Sequence, residues 1–116
     1  MSTQDHESQR ATDYLNGLLH EAVESGADTV ELERVPEGLE ICFLAAESGI
    51  GTVLKDRALE EELFDLIIRR GKLGNRGRGK MDWNVLGEDR RITVEQYDSF
   101  GEACFRLKLD KPQPRK

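Results

Sequence analysis

Alternation of apolar with polar residues is the sequence feature that most constrains the fold of this chain. The segment TVELERV, residues 29–35, places Val30 and Leu32 between polar neighbours. Successive side chains of a β-strand point to opposite faces, so this pattern is typical of a strand with one buried face and one wet face. Residues 91–97 and 103–109 alternate in the same way. The chain is therefore expected to contain a sheet that buries one of its faces.

Two other segments have the spacing of apolar residues that is typical of helices. The first helix is expected to begin at a cap, Thr12 or Asp13. The second is expected to run from a cap at Asp56 to Gly71. Its glutamate run, residues 60–62, is expected to form a solvated face near the positive end of the helix dipole.

Turns separate the strand segments, and short connections favour antiparallel pairing. The predicted turns are at residues 36–38, 87–89 and 98–101. The predicted fold class is α+β, with the order αβββαβββ and a mostly antiparallel sheet packed by two helices. The predicted strands are residues 29–35, 39–44, 52–54, 81–86, 91–97 and 103–109. The predicted shared core consists of Val30, Leu32, Leu39, Ile41, Phe43, Leu63, Ile67, Trp83, Ile92, Val94, Phe105 and Leu107.

A length of 116 residues suits one domain with a modest core. Residues 1–11 and 110–116 have little apolar content and are expected to be disordered tails, which leaves one domain over residues 12–109. No apolar run approaches the ~20 residues of a membrane span, and the polar N-terminus lacks the apolar segment of a signal peptide. We therefore expect a cytoplasmic protein without membrane insertion. Cys42 and Cys104, each in a strand-like segment, are expected to be buried thiols rather than a disulfide.

Basic residues are concentrated in one short segment, RRGKLGNRGRGK at residues 69–80, which has no acidic residue. The rest of the chain contains the other 11 of the 17 basic residues and all 23 acidic residues, which gives it a net charge of −12. Such a segment attracts an anion locally, while the acidic body repels a long polyanion. We expect a glycine-rich, mobile loop that meets an anionic partner, although a merely solvated loop has the same composition. The candidate partner-binding residues are Arg69, Arg70, Lys72, Arg76, Arg78 and Lys80.

The same segment contains GNRGRGK, which has the G-x-x-x-x-G-K spacing of a phosphate-binding P-loop. The next residue is Met81, which lacks the hydroxyl that holds magnesium in a P-loop. A P-loop also follows a strand and precedes a helix, whereas here the predicted order is the reverse. The match is therefore interpreted as a coincidence. We expect no cofactor and no metal, and since no catalytic set has a plausible context, we do not expect an enzyme.

Two longer stretches resemble the domain that precedes the motor in bacterial type II secretion and type IV pilus assembly ATPases. They are LLHEAVESGADTVELERVPEGLEICF and RGKMDWNVLGEDRRITVEQYDSFGEACFRLKL, and GADTVELE matches the family's A-S-D-I-H-(apolar)-E. The resemblance spans residues 12–109 and implies a PAS-like antiparallel sheet flanked by helices. Glu31 replaces the family's histidine, and the family's R-x-D-G is lost. The chain also ends where the family's ATPase domain would begin, which implies the regulatory domain without the motor.

In that family the domain packs on a neighbouring motor, and basic residues of the matching loop approach the nucleotide phosphates. The resemblance implies that role for Arg76, Arg78 and Lys80. We therefore expect a non-catalytic protein-interaction or regulatory module, with a secretion or pilus ATPase motor or a related component as its protein partner. The alternative is an RNA- or nucleotide-phosphate-binding module that uses residues 69–80. The acidic body and the scarcity of aromatic residues near the arginines, apart from Trp83, make nucleic acid the less favoured ligand.

Overall fold

The computed structural model describes residues 8–45, 49–99 and 101–110. Two helices and a six-stranded antiparallel sheet follow each other in the order αβββαβββ, so the predicted α+β class is confirmed. The PAS-like character implied by the family resemblance stays a prediction. The elements are α1 Gln9–Ser25, β1 Thr29–Val35, β2 Gly38–Leu44, β3 Gly49–Leu54, α2 Arg57–Gly71, a short 3₁₀ helix Gly74–Arg76, β4 Arg78–Val85, β5 Glu88–Ser99 and β6 Glu102–Leu109.

The sheet has the strand order β3-β2-β1-β6-β5-β4. Each half is a meander of three consecutive strands, and the two halves meet where β1 pairs with β6, with Leu32 opposite Phe105. The β4–β5 connection has two residues, Leu86 and Gly87, both with positive φ (54° and 83°). Positive φ at both central positions is typical of the type I′ turn, whose twist suits a hairpin. The turn therefore begins one residue earlier than the predicted turn at residues 87–89, and β5 begins at Glu88.

The start of α1 differs from the prediction. The N-cap is Ser8, whose hydroxyl oxygen accepts a hydrogen bond from the Ala11 N–H at 3.1 Å. The predicted cap at Thr12 or Asp13 is therefore wrong, since both residues lie inside the helix. Ala11 is fully buried in the first turns of α1. The helix therefore begins before the larger apolar residues from which the prediction was made. Residues 1–7 lie outside the described part of the chain.

The first turn of α1 is also tied to α2. The Ser8 hydroxyl donates a hydrogen bond to Glu62 at 2.6 Å. Arg10 forms ion pairs with Glu62 at 3.1 Å and with Asp56 at 3.4 Å. At the other end, the Asp110 N–H donates to a carbonyl of β5 at 2.9 Å. Residues 8–11 and Asp110, which were predicted to lie in disordered tails, therefore belong to the folded domain, and residues 111–116 are outside the described part.

Both helices pack on one face of the sheet, and the hydrophobic core lies between the helices and this face. Phe64 of α2 packs against Phe105 of β6, with the two rings tilted by 58° and their centroids 4.5 Å apart. Trp83 of β4 donates from Nε1 to Asn16 of α1 at 3.2 Å. The predicted shared core is confirmed, because all twelve of its residues are buried in one cluster.

Glu60 contradicts the prediction that residues 60–62 form a solvated face, because its side chain is fully buried. Its Oε2 lies 2.5 Å from Arg34 Nε and 3.4 Å from Arg57 Nη1. The Arg34 guanidinium also lies over the Phe64 ring, 4.7 Å from its centroid. Among the described residues, Glu60 Oε1 has no hydrogen-bond partner and the Arg34 contact is an ion pair without hydrogen-bond geometry. Burial of this carboxylate is therefore offset mainly by charge pairing.

Candidate interaction face

The sheet has a second face that no described element covers, which we call the open face. Alternate residues of every strand point to it, because the intervening residues point to the helices. On β1 and β2 these residues include Glu31, Glu33 and Glu40, which are partly buried by their neighbours. On β4, β5 and β6 these residues carry charges of both signs: five are basic, namely Arg78, Lys80, Arg91, Arg106 and Lys108, and four are acidic, namely Asp82, Asp89, Glu95 and Glu102. We call the β1–β2 part of the open face its acidic half, and the β4–β6 part, which has a small excess of basic residues, its basic half.

The basic segment of residues 69–80 is not the single loop that was predicted. Its first residues complete the last turn of α2, and its last residues, 78–80, begin β4. Between them, the carbonyl of Gly77 accepts a hydrogen bond from the Gln96 N–H at 2.6 Å. A Cβ at Gly79 would lie 1.9 Å from the carbonyl oxygen of Gly71. These contacts remove the main reason to expect mobility, since at least Gly79 is needed for close packing.

Three of the six candidate residues lie at the end of α2 rather than on the open face. The Arg70 guanidinium lies over the Trp83 ring, 4.5 Å from its centroid, on the helix side of the sheet. Arg69 forms an ion pair with Asp65 of the same helix at 3.7 Å. Lys72 is the C-cap and has a left-handed backbone with φ of 52°. These three cations therefore stabilise the helix end, where positive charge is favourable.

The other three candidates, Arg76, Arg78 and Lys80, lie at or next to the basic half of the open face. Arg78 begins a row of paired charges across four strands. It donates to Glu95 at 2.7 Å, and Arg106 bridges Glu95 at 3.4 Å and Glu31 at 2.9 Å. The hydrogen bond from Arg78 holds the pKa of Glu95 below its usual range. The row is therefore largely neutralised, and it fixes the Arg106 side chain beside the next row of residues.

That next row is Lys80, Thr93 and Lys108, which lie directly opposite one another on β4, β5 and β6. Within the described part of the chain, no carboxylate lies within 4 Å of either ammonium. The Thr93 hydroxyl is oriented toward Asp110 at 3.5 Å. Adjacent strands are ~4.8 Å apart, so the two lysines start ~10 Å apart and can converge on one anionic group above Thr93. Together with Arg106, Glu95 and Asp110, they line a shallow depression that holds three cations and two carboxylates, an excess of one positive charge.

Sequence reasoning missed Thr93, Arg106 and Lys108 as members of a candidate site. The alternation of β6 already places Arg106 and Lys108 on its polar side. Their neighbourhood with Lys80 depends on the pairing of β6 with β5 and of β5 with β4. A search for lysine or arginine on the polar phase of each predicted strand would have found them.

The two cysteines lie on the open face, on either side of β1. Cys104 is buried, Cys42 is partly buried, and both thiols are free, as expected. Burial raises the pKa of both thiols, and nearby carboxylates such as Glu33 and Glu40 raise it further. Because the reactive form of cysteine is the thiolate, both groups are poor nucleophiles at neutral pH.

Comparison with models of known protein families and with curated proteins finds no match for this chain. The resemblance to the domain of secretion ATPases therefore stays a prediction. In the described ranges, no three His, Cys, Asp or Glu side chains are grouped so that they could hold a metal ion. No helix in these ranges has the combined length and apolar character that crossing a membrane requires.

Proposed function

We propose that this protein is a non-catalytic interaction module that binds an acidic surface of a protein partner through the basic half of its open face. The observation that supports this most directly is the row of Lys80, Thr93 and Lys108. Its two ammonium groups have no carboxylate within ion-pair distance among the described residues, although the chain carries an excess of acid. A carboxylate or phosphate on a partner would neutralise them through charge-assisted hydrogen bonds.

A protein partner fits this face better than a nucleic acid. The acidic side chains of β1 and β2 lie on the same face and repel a phosphate backbone that extends beyond β6. Single-stranded nucleic acid also needs aromatic side chains on which bases stack. Trp83 is buried on the helix side, and the ring of Tyr97 is covered by Arg106 at 5.0 Å. A partner with separate acidic and basic patches would complement both halves of the face.

The family resemblance suggests the kind of partner. In this proposal the module works in the cytoplasm and contacts the motor of a secretion or pilus ATPase, or a related component, as a regulator. Arg76 and Arg78 flank the Lys80 row and would extend the contact toward the end of β4.

The proposal can be tested by titrating the ¹⁵N-labelled protein with a polyglutamate peptide, an oligouridylate and ATP. We expect the peptide to shift amides around Lys80, Thr93 and Lys108. The shifts should weaken between ~0.01 M and ~0.15 M salt, where the screening length falls from ~30 Å to ~8 Å. The double variant Lys80→Glu/Lys108→Glu should lose this binding.

A matched control for the single variants Lys80→Glu and Lys108→Glu is Lys55→Glu, which changes the net charge equally at an exposed position away from the row. Equal loss of peptide binding in all three single variants would show that net charge, rather than the open face, attracts the peptide. Tighter binding of oligouridylate than of the peptide would instead support the nucleic-acid alternative.

A further inference from the structure

The two edges of the sheet differ in a way that bears on self-association. The β4 edge has charged side chains at alternate positions, Arg78, Lys80 and Asp82. The β3 edge, GIGTVL, has neither a charged residue nor a proline. An edge strand exposes unpaired N–H and C=O groups, and charges or prolines normally keep other strands from pairing with them. Only β4 has this protection.

β3 also exposes apolar side chains on both sides of the sheet. Ile50 is 66% exposed on the helix side, where it pairs across from Phe43. Val53 is 39% exposed on the open face, across from Glu40. Leu54 is half-buried at the end of the strand and packs against the core. Among the described residues, no strand pairs with the outer edge of β3, and this edge also carries unburied apolar surface.

We propose that β3 pairs antiparallel with β3 of a second copy of this chain. A twofold axis perpendicular to the sheet keeps the helices of both copies on the same side, so directly opposed residues must share a face. One register that meets this condition places Thr52 opposite Thr52 of the second copy. Ile50 then lies opposite Leu54, and Gly51 leaves room for Val53.

This register makes the strand complementary to itself. Aliphatic side chains meet on the helix side, threonines meet at the axis, and no charges are opposed, each of which favours cross-strand pairing. The contact is isologous, so it closes after two copies. The free edges of the resulting dimer are the two β4 strands, whose charges prevent further growth. With only five residues paired in each copy, the interface is small, and we expect a weak dimer that depends on concentration.

The test is sedimentation velocity of the full chain from low micromolar to millimolar concentration. The unmodified protein should shift toward twice the monomer mass as concentration rises. Thr52→Lys and Thr52→Glu each oppose like charges at the axis and should associate at least about tenfold more weakly. Thr52 is exposed, so both variants should fold, which far-ultraviolet circular dichroism checks.

An equimolar mixture of the two variants should dimerise again, since lysine then faces glutamate across the axis. The control is the same pair of changes at Asn84, which is exposed on the β4 edge and should leave the association of the unmodified protein unchanged. A protein that stays monomeric at millimolar concentration would overturn the proposal. So would a dimer that persists in Thr52→Lys, or a mixture that fails to restore association.

Discussion

Gly79→Ala is the change that most sharply separates a packed segment 69–80 from a mobile one. Its Cβ would lie 1.9 Å from the carbonyl oxygen of Gly71 and 3.3 Å from a methyl group of Leu73. Since the first contact is with backbone at the end of α2, β4 or the helix end must move by more than an ångström. Overpacking of this kind costs about 1–3 kcal/mol. In a mobile loop, the same change would be neutral or slightly stabilising, because alanine restricts the unfolded chain.

Gly17→Ala is the matched control, because it makes the same chemical change in the exposed middle of α1. An added Cβ there meets no atom within 4 Å, and alanine is favoured over glycine in a helix by about 0.5–1 kcal/mol. The two variants should therefore shift the free energy of unfolding in opposite directions.

Urea denaturation measures both effects, with the fluorescence of Trp83, the single tryptophan, and circular dichroism as independent probes. With a slope of about 2 kcal/mol/M, a loss of about 2 kcal/mol lowers the midpoint by about 1 M. A midpoint for Gly79→Ala equal to or above that of the unmodified protein would refute the packing argument. It would also restore the prediction of a mobile segment beside Lys80.

Three further predictions concern the core, catalysis and pH. Leu32→Ala or Phe105→Ala should each lower the free energy of unfolding by about 2–5 kcal/mol in the same urea assay, and unshifted midpoints would contradict the core. Steady-state phosphate release with magnesium and ATP should equal the buffer blank, whereas a rate that Lys80→Ala abolishes would contradict the absence of ATPase activity. Because the folded pKa of Glu95 is lowered, its stabilisation is present above pH ~4.3 and is lost as the pH falls through the folded pKa. Thermal melts between neutral and acid pH should therefore show a smaller acid-induced shift in Glu95→Gln.

The strands and the core could be predicted from sequence because both depend on local periodicity. Val30 and Leu32 fall on the apolar phase of a strand whichever strands lie beside it. The ends of the helices and strands were harder to predict from sequence, since they depend on tertiary contacts. Ser8 caps α1 while it also bonds to Glu62, more than fifty residues away in the chain. Gly79 joins β4 because it fits against α2, although its sequence neighbourhood is typical of a loop.

The candidate site was predicted only in part for the same reason. The concentration of basic residues at 69–80 predicted one binding loop, but composition alone does not show that its six cations lie at two different places in the fold. Helix geometry directs Arg70 to Trp83, whereas strand geometry directs Lys80 to the open face. The remaining members come from β6 and are adjacent only through long-range pairing. Glu60 shows the reverse error, since a run of three glutamates gives no local sign that one of them is buried against Arg34.

The open face and the β3 edge lie at different ends of one sheet, so the two proposals can hold together. Pairing through β3 joins the halves of two open faces that contain Glu31, Glu33 and Glu40, while the rows that contain Lys80 remain at the outer ends. Six strands then lie between the β6 strands of the two copies, so seven inter-strand steps separate Lys108 of one copy from Lys108 of the other. At ~4.8 Å per step, these rows are ~34 Å apart before twist is considered. A partner with two acidic patches at that spacing would bind both copies and gain affinity from the second contact, whereas a single acidic peptide would bind monomer and dimer equally. A higher affinity for the partner with two acidic patches than for the single peptide would therefore indicate dimerisation, since each copy makes the same contact in both cases.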